Sequence, residues 1–155
     1  MSKDDGVREV AVRMRLLQQS FDAFDKAAAT RLGLNRTDLR CLDLILAKDP
    51  MSAGELTTAA KLSPAATTTV IDRLERAGFV TRSRDAANRR RVLVAATEAA
   101  RTAEHEVYGP LGEAGTSALR RYSEEQLAVI TDFLETARQV QEDQTTRLKG
   151  LPVRE

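Results

Sequence analysis

The hydrophobic period of the sequence changes once between residues 51 and 97, and this change limits the folds open to the chain. Two short helical patterns come first, over 53–60 and 64–77, and a tight turn separates them. The period then becomes two at Phe79, and 79–82 and 92–94 predict two strands, with a polar, arginine-rich stretch between them. The order is therefore helix, turn, helix, strand, basic hairpin and strand.

Capping residues support the two helices. Ser52 is followed three residues later by Glu55, which makes a capping box at the start of the first helix. Ser63 precedes Pro64 at the first position of the second helix, where the missing N–H of proline costs nothing. Gly78 ends that helix. The outline is that of a winged helix-turn-helix, and the predicted fold is mainly α with a small β-hairpin wing.

Long helices with heptad-like apolar seams are predicted on both sides of this module. The first covers 7–32, and its seam residues follow each other by three and four positions: Val7, Val10, Met14, Leu17, Phe21, Phe24 and Ala28. Ser123 is predicted to cap the last helix, whose seam begins Leu127, Ile130, Leu134 and Ala137. Such seams need a partner surface, which predicts dimerisation. The predicted organisation is an N-terminal dimerisation helix (1–34), a winged helix-turn-helix (35–97), C-terminal dimerisation helices (98–149) and a tail (150–155).

The charge of the chain is balanced overall but not locally. Net charge is +1, yet residues 63–101 carry eight arginines against four acidic residues. The planar guanidinium suits phosphates and guanine edges, so nucleic acid is a candidate partner for this segment. A solvated charged face is the alternative interpretation.

The scarcity of reactive residues argues against catalysis. One cysteine and one histidine exclude a four-ligand zinc site and a disulfide within one chain. No glycine-rich phosphate loop or paired-carboxylate motif is present, so neither an enzyme nor a cofactor is predicted. No run approaches the roughly 20 apolar residues of a membrane span, and the polar start lacks a signal-peptide core. These features predict a cytoplasmic protein without a membrane partner.

The second helix of the module has the composition expected of a helix that enters a major groove. One side of it carries Thr67, Val70, Ile71 and Leu74, and its other side carries small residues that permit close approach to base edges. An ordinary amphipathic helix with a threonine-rich surface is the alternative. The predicted contacts to double-stranded DNA are Ser63, Ala65, Ala66, Thr68, Thr69 and Arg73 on this helix, and Arg84, Arg89, Arg90 and Arg91 on the wing.

The stretch from 51 to 97 resembles the MarR family of bacterial transcription regulators. The resemblance is carried by the turn at Leu62-Ser63-Pro64, by Asp72 to Val80, and by the wing. The family's wing motif is Asp-x-Arg, five residues, then Leu-Thr. Arg90 and Thr97 match it, whereas Asn88 stands in place of the acid and Ala96 in place of the leucine. Asp85 is a candidate to hold Arg90 instead.

The resemblance implies a homodimer whose first, fifth and sixth helices interlock. Such a dimer would bind a pseudopalindromic operator with half-sites about 34–36 Å apart. It also implies release of DNA by a small, commonly aromatic and anionic, ligand in a cleft between the dimer helices and the winged module. By position, the candidate cleft residues are Phe21, Arg36, Arg40, Cys41, His105 and Tyr108.

The candidate ligand residues also have other interpretations. Arg36 and Arg40 lie one helical turn apart and could clamp a carboxylate, or they could pair with Asp38, Asp43 or a partner subunit. Cys41 lies among leucines, which favours a buried inert thiol over a redox sensor. His105 is predicted to be a helix-surface or interface residue.

These patterns together predict a homodimeric, sequence-specific DNA-binding regulator that acts as a repressor. The alternative is a helical partner-binding or architectural protein without sequence-specific DNA readout. Negligible affinity for any duplex at low salt would favour that alternative.

Overall fold

The computed structural model describes residues 2–153. Its elements in chain order are α1 (Lys3–Leu32), α2 (Arg36–Ala47), β1 (Met51–Ser52), α3 (Ala53–Ala60), α4 (Pro64–Arg76), β2 (Val80–Arg84), β3 (Val92–Ala96), α5 (Glu98–Leu119) and α6 (Glu124–Lys149). The prediction of a mainly helical fold with a small β-hairpin wing is confirmed.

The sheet has one more strand than predicted. Its order is β1-β3-β2 and both pairings are antiparallel, with Val94 of β3 opposite Met51 on one side and Arg82 on the other. β1 has only two residues, too few to show a period of two. Its Ser52 also caps α3, so the helical signal there masks the strand.

Serine caps begin four of the helices. The predicted caps Ser52, Ser63 and Ser123 each accept a hydrogen bond from the backbone N–H of the third helical residue. The predicted start of α1 at residue 7 is wrong, because Ser2 and Asp5 form a capping box that starts the helix at Lys3.

The core of the winged module lies between its helices and the sheet. The inner face of α4 consists of Thr67, Val70, Ile71 and Leu74, all buried as predicted. Val70, Ile71 and Leu74 pack with Leu42 and Ile45 of α2, Leu56 of α3, Val80 of β2 and Val94 of β3. With its inner face buried on both neighbouring helices and on the sheet, α4 presents only its opposite face outward.

The chain divides after Tyr108 into two compact units. The first holds the winged module and α1. The second holds the end of α5 and all of α6, and none of the residues of α6 is buried. Large apolar side chains stay exposed along both terminal helices, including Phe21 (59%) on α1 and Val129 (70%) on α6. Within residues 2–153, no helix is both long enough and apolar enough to cross a membrane.

Candidate nucleic-acid interface

The first two turns of α4 form a small polar surface. Ser63 has an extended backbone, and its hydroxyl accepts a hydrogen bond from the Ala66 N–H at 3.1 Å. Ala65, Thr68 and Thr69 are exposed and Ala66 is half-buried. The structure therefore brings the predicted helix residues together, apart from Arg73, at one exposed end of α4.

The three consecutive threonines of α4 have different roles. Thr67 is buried, and its hydroxyl donates to the Ser63 carbonyl at 3.0 Å. The Thr57 hydroxyl of α3 in turn donates to Thr67 Oγ1 at 2.9 Å, which joins the two helices of the helix-turn-helix. Thr68 and Thr69 face outward instead, and their hydroxyls donate to the carbonyls of Pro64 and Ala65, each at 3.1 Å. The contact between Thr57 and Thr67 has no sequence signal, because the spacing only marks Thr67 as inward-facing.

Arg73 has a different partner from the predicted one. Its Nε and Nη2 donate to the carboxylate of Asp38 on α2, at distances from 2.7 to 3.1 Å. The Asp38 side chain is only 3% exposed, so the pair fixes α4 against α2 from within the module. Two of the three guanidinium nitrogens of Arg73 are thereby occupied, and its contact with DNA stays a prediction. The sequence offers Asp38 only as a possible partner of Arg36 or Arg40, because its actual partner lies 35 residues further along the chain.

The wing turn is folded by two side chains. The Asp85 carboxylate accepts the Ala87 N–H at 2.9 Å, and the Asn88 side-chain oxygen accepts the Arg90 N–H at 3.1 Å. Two backbone bonds close the turn, from Asp85 N–H to the Arg91 carbonyl and from Arg91 N–H to the Asn88 carbonyl. Asn88 therefore orders the backbone at Arg90 although it lacks the charge of the acid in the family motif.

The four wing arginines fall into two pairs. The guanidinium group of Arg84 donates a hydrogen bond to the Arg89 carbonyl at 3.1 Å, which stabilises the hairpin. Arg91 lies 3.5 Å from Asp85 and 3.6 Å from Glu55 of α3. Arg89 and Arg90 are exposed and have no ion pair among residues 2–153. Asp85 thus contacts Arg91, which corrects the expectation that it would hold Arg90.

Glu55 is a fixed negative charge beside the wing. Its carboxylate accepts the Ser52 N–H at 2.7 Å and the Lys48 ammonium at 3.0 Å. These hydrogen bonds, the backbone one first, lower the pKa of Glu55 to about 2. The carboxylate therefore stays ionised, and it positions Arg91 at the start of α3.

A second arginine joins the sheet to the outer side of α4. Arg82 of β2 pairs with Asp72 and, at 3.3 Å, with Glu75. Both acids of α4 are thereby neutralised by the protein itself. Arg76, at the last turn of α4, has no ion pair in the part of the chain that the structure describes.

A cavity of about 390 Å³ lies against α2, and none of the residues of the polar surface lines it. Three of the six predicted ligand residues line it, namely Arg36, Arg40 and Cys41. Asp25 and Asp43 also line the cavity, so its charged lining is mixed. Its size falls within the range of small-molecule sites.

The other three predicted ligand residues do not line this cavity. Tyr108 packs against Phe24, with ring centroids 5.5 Å apart, and burial raises its pKa to about 12. Phe21 and His105 are exposed. Sequence position assigns Phe21 to the first helix and His105 and Tyr108 to the fifth, as the structure has them. It could not show which way each side chain faces.

The charged groups at the cavity are paired differently from the prediction. Arg36 lies 3.2 Å from Asp22 and 3.7 Å from Asp25, both on α1, rather than on Asp38 or Asp43. Burial, together with the charges of Asp25 and Glu104, raises the pKa of Asp43 to about 6.

The prediction of a buried thiol at Cys41 is confirmed. Its side chain is buried, and burial is the main cause that raises the pKa of the thiol. A raised pKa reduces the thiolate fraction at neutral pH, which is the opposite of what a reactive cysteine needs.

The arrangement of α3, α4 and the basic hairpin defines a winged helix-turn-helix protein. The family model described as "MarR family" matches residues 34–92. HTH-type transcriptional regulator YcgE of Bacillus subtilis (strain 168) is 39% identical over 126 residues, which cover 81% of this chain and 82% of that protein. The chain belongs to the MarR family.

Solved structures share the fold. A MarR family protein from Bacillus stearothermophilus matches with a TM-score of 0.68 at 22% identity, covering 92% of this chain and 99% of that one. The structure of reduced AbfR bound to DNA matches with a TM-score of 0.61 at 18% identity, covering 96% and 97%. At sequence identities this low, the two matches show a shared fold only.

Proposed function

We propose that the protein is a homodimeric transcription regulator that binds double-stranded DNA at a pseudopalindromic operator and represses transcription. The observation that carries this proposal is the combination of an exposed α4 N-terminus with Arg89 and Arg90 at the wing tip, which are exposed and form no ion pair among residues 2–153. A recognition helix reads base edges with its N-terminal residues, while a basic wing contacts the flanking backbone or minor groove. Membership of the MarR family and the DNA-bound neighbour support this function.

The exposed seams support the homodimer. Val7, Val10, Leu17 and Phe21 of the α1 seam are between 45% and 61% exposed, and Leu134 of the α6 seam is exposed as well. Large apolar side chains repeated along one helix face need a covering surface in water. A second copy offers the same seams and places two α4 helices at adjacent major grooves.

The cavity at α2 supports a small-molecule effector. Arg40 has no ion pair among residues 2–153 and is available to an anion, whereas Arg36 is held by Asp22 and Asp25. An anionic aromatic ligand would place its carboxylate on Arg40 and its ring against Leu39 and Leu62. A panel of benzoic acid derivatives tests this proposal. Stabilisation of the native chain against heat that is lost in Arg40→Ala supports it, and no stabilisation by any member contradicts it.

The DNA proposal is tested with a random pool of duplexes and the full chain. Repeated selection at about 0.1 M salt should enrich duplexes that share two inverted half-sites. The double variant Arg89→Ala with Arg90→Ala should bind the selected duplex much more weakly, whereas Arg8→Ala, which removes an exposed arginine of α1, should bind as the native chain does. Failure to enrich any sequence, with negligible affinity for duplexes at low salt, would favour a partner-binding protein.

A further inference from the structure

We propose that α4 identifies its operator through thymine methyl groups, contacted by Ala65, Thr68 and Thr69, and not through bidentate hydrogen bonds to guanine or adenine. This inference rests on the proposed DNA-binding function and specifies what the recognition helix reads. It follows from which polar groups of α4 are free and which are already occupied within the protein.

The arginines of α4 are either bound within the protein or too far from the N-terminal end of the helix to contact base edges. Bidentate readout of guanine uses arginine or lysine, and that of adenine uses asparagine or glutamine. None of these types occurs between Pro64 and Thr69. Arg73 is bound to the buried Asp38, and Arg76 lies in the last turn, whereas base edges are contacted by the N-terminal residues of a recognition helix.

The acidic side chains of α4 are also occupied. Both Asp72 and Glu75 pair with Arg82 of the wing strand β2. A carboxylate would otherwise accept a hydrogen bond from the amino group of cytosine. Only the residues in the two N-terminal turns of α4 therefore remain available to contact the bases.

In the exposed residues Thr68 and Thr69, the hydroxyl can offer DNA a hydrogen-bond acceptor but no donor. The single hydroxyl proton of Thr68 is donated to Pro64 O, and that of Thr69 to Ala65 O. Toward DNA each side chain then presents a methyl group and an oxygen that can only accept. Guanine N7 and O6 are themselves acceptors, so a threonine that keeps its backbone hydrogen bond cannot also donate to them.

A T·A pair matches these remaining groups. In the major groove it offers the thymine methyl for apolar contact and the adenine N6 amino group as a donor. Ala65 adds a further methyl, and its small size lets the helix approach the bases closely. The hydrogen bonds to the helix backbone also hold the threonine side chains in fixed rotamers, so that their methyl groups have defined positions.

Deoxyuridine provides the direct test, because it lacks only the methyl of thymine. The probe is the duplex that the native chain selects from a random pool, with each half-site thymine replaced singly by deoxyuridine. Replacing a thymine that the protein contacts should weaken binding about fourfold, which is the value expected for the loss of one buried methyl group. Replacing guanines by 7-deazaguanine, which removes the N7 acceptor in the major groove, should have no such effect.

A matched pair of variants assigns the methyl contact to the protein. Thr69→Val keeps the methyl and removes the hydroxyl, so it should still discriminate thymine from deoxyuridine. Thr69→Ser keeps the hydroxyl and removes the methyl, so it should lose discrimination at one position per half-site. The same pair at Thr68 provides a second readout, and circular dichroism checks that each variant keeps its helix content.

The outcomes separate the inference from the function on which it rests. A selected duplex that is insensitive to deoxyuridine but weakened by 7-deazaguanine overturns methyl readout and leaves sequence-specific binding standing. Loss of discrimination in Thr69→Val together with retention in Thr69→Ser overturns it as well. If no duplex is enriched at all, the proposed function fails and the inference fails with it.

Discussion

Arg73 of α4 donates hydrogen bonds to both carboxylate oxygens of Asp38, a buried residue of α2. The two residues are 35 positions apart in the sequence, so the pair joins two helices that no local signal connects. α2 also lines the cavity of about 390 Å³, through residues on either side of Asp38. One helix therefore contacts both the candidate effector site and the candidate recognition helix.

Removing Asp38 and removing Arg73 should destabilise the chain by different amounts. Asp38→Ala should lower the free energy of unfolding by about 2 kcal/mol, because hydrogen bonds to a charged group are lost while Arg73 can still reach water. Arg73→Met should cost more, since it leaves a buried carboxylate without a partner. Urea unfolding measures both. A larger loss for Asp38→Ala than for Arg73→Met would contradict the account, and the double variant Asp38→Leu with Arg73→Met should recover part of the stability.

The two pairs of wing arginines should differ in their effect on salt dependence. Arg90→Ala should reduce the slope of log affinity against log salt by about 0.9, because one phosphate contact is lost. Arg91→Ala should weaken binding with little change of slope, because Glu55 and Asp85 already hold its charge within the protein. Fluorescence anisotropy at several salt concentrations gives both slopes. Equal slope changes in the two variants would show that Arg91 also contacts phosphate.

Asp43 should make stability depend on pH. Its pKa is raised from 3.8 to about 6 in the folded chain, so the folded state binds the proton more tightly than the unfolded state does. The stabilising contribution is complete below about pH 4 and is lost as pH rises through 6. Asp43→Asn should therefore be more stable than the native chain at pH 7.5, and this advantage should disappear toward pH 4.

Urea unfolding between pH 4 and 7.5 measures this effect. Because Asp43 remains exposed as a residue, the advantage should be smaller than that of a fully buried carboxyl. Asp132→Asn on α6 removes one negative charge elsewhere and serves as the control. An Asp43→Asn variant that is less stable than the native chain at pH 7.5 would contradict the raised pKa.

The exposed seam of α1 should control the oligomeric state. Phe21→Asp places a charge among the apolar residues that we assign to the dimer contact, so it should shift sedimentation toward a single chain. Val153→Asp changes an apolar residue that is 94% exposed in the tail and should leave the oligomer unchanged. A Phe21→Asp variant that sediments like the native chain would remove α1 from the proposed interface.

Local patterns predicted most of the fold. The caps at Ser52, Ser63 and Ser123, the inner face of α4 and the change of period at residue 79 each depend on neighbours within a few positions, and the structure contains all of them. β1 was missed because two residues carry no periodic signal. The early start of α1 was missed because the capping box at Ser2 lies in a polar stretch without apolar periodicity.

Long-range pairing accounts for what the sequence does not show at the site. Arg73, Arg91 and Arg36 were each recognised as candidate ligand or DNA contacts from charge and spacing alone. Their partners Asp38, Glu55 and Asp22 lie between 14 and 36 positions away, where the sequence gives no indication of contact. Arg89 and Arg90 form no such pair among residues 2–153, so their guanidinium groups are free for the predicted DNA contact.

The central claim is that two copies of the chain present two α4 helices and two basic wings to one duplex. It is tested most directly by measuring the stoichiometry and affinity of the full chain on its selected duplex, beside the same duplex with one half-site scrambled. We expect two chains per intact duplex and at least about tenfold weaker binding to the scrambled one, because its half-site contacts are lost. One chain per duplex, or equal affinity for both duplexes, would contradict the account.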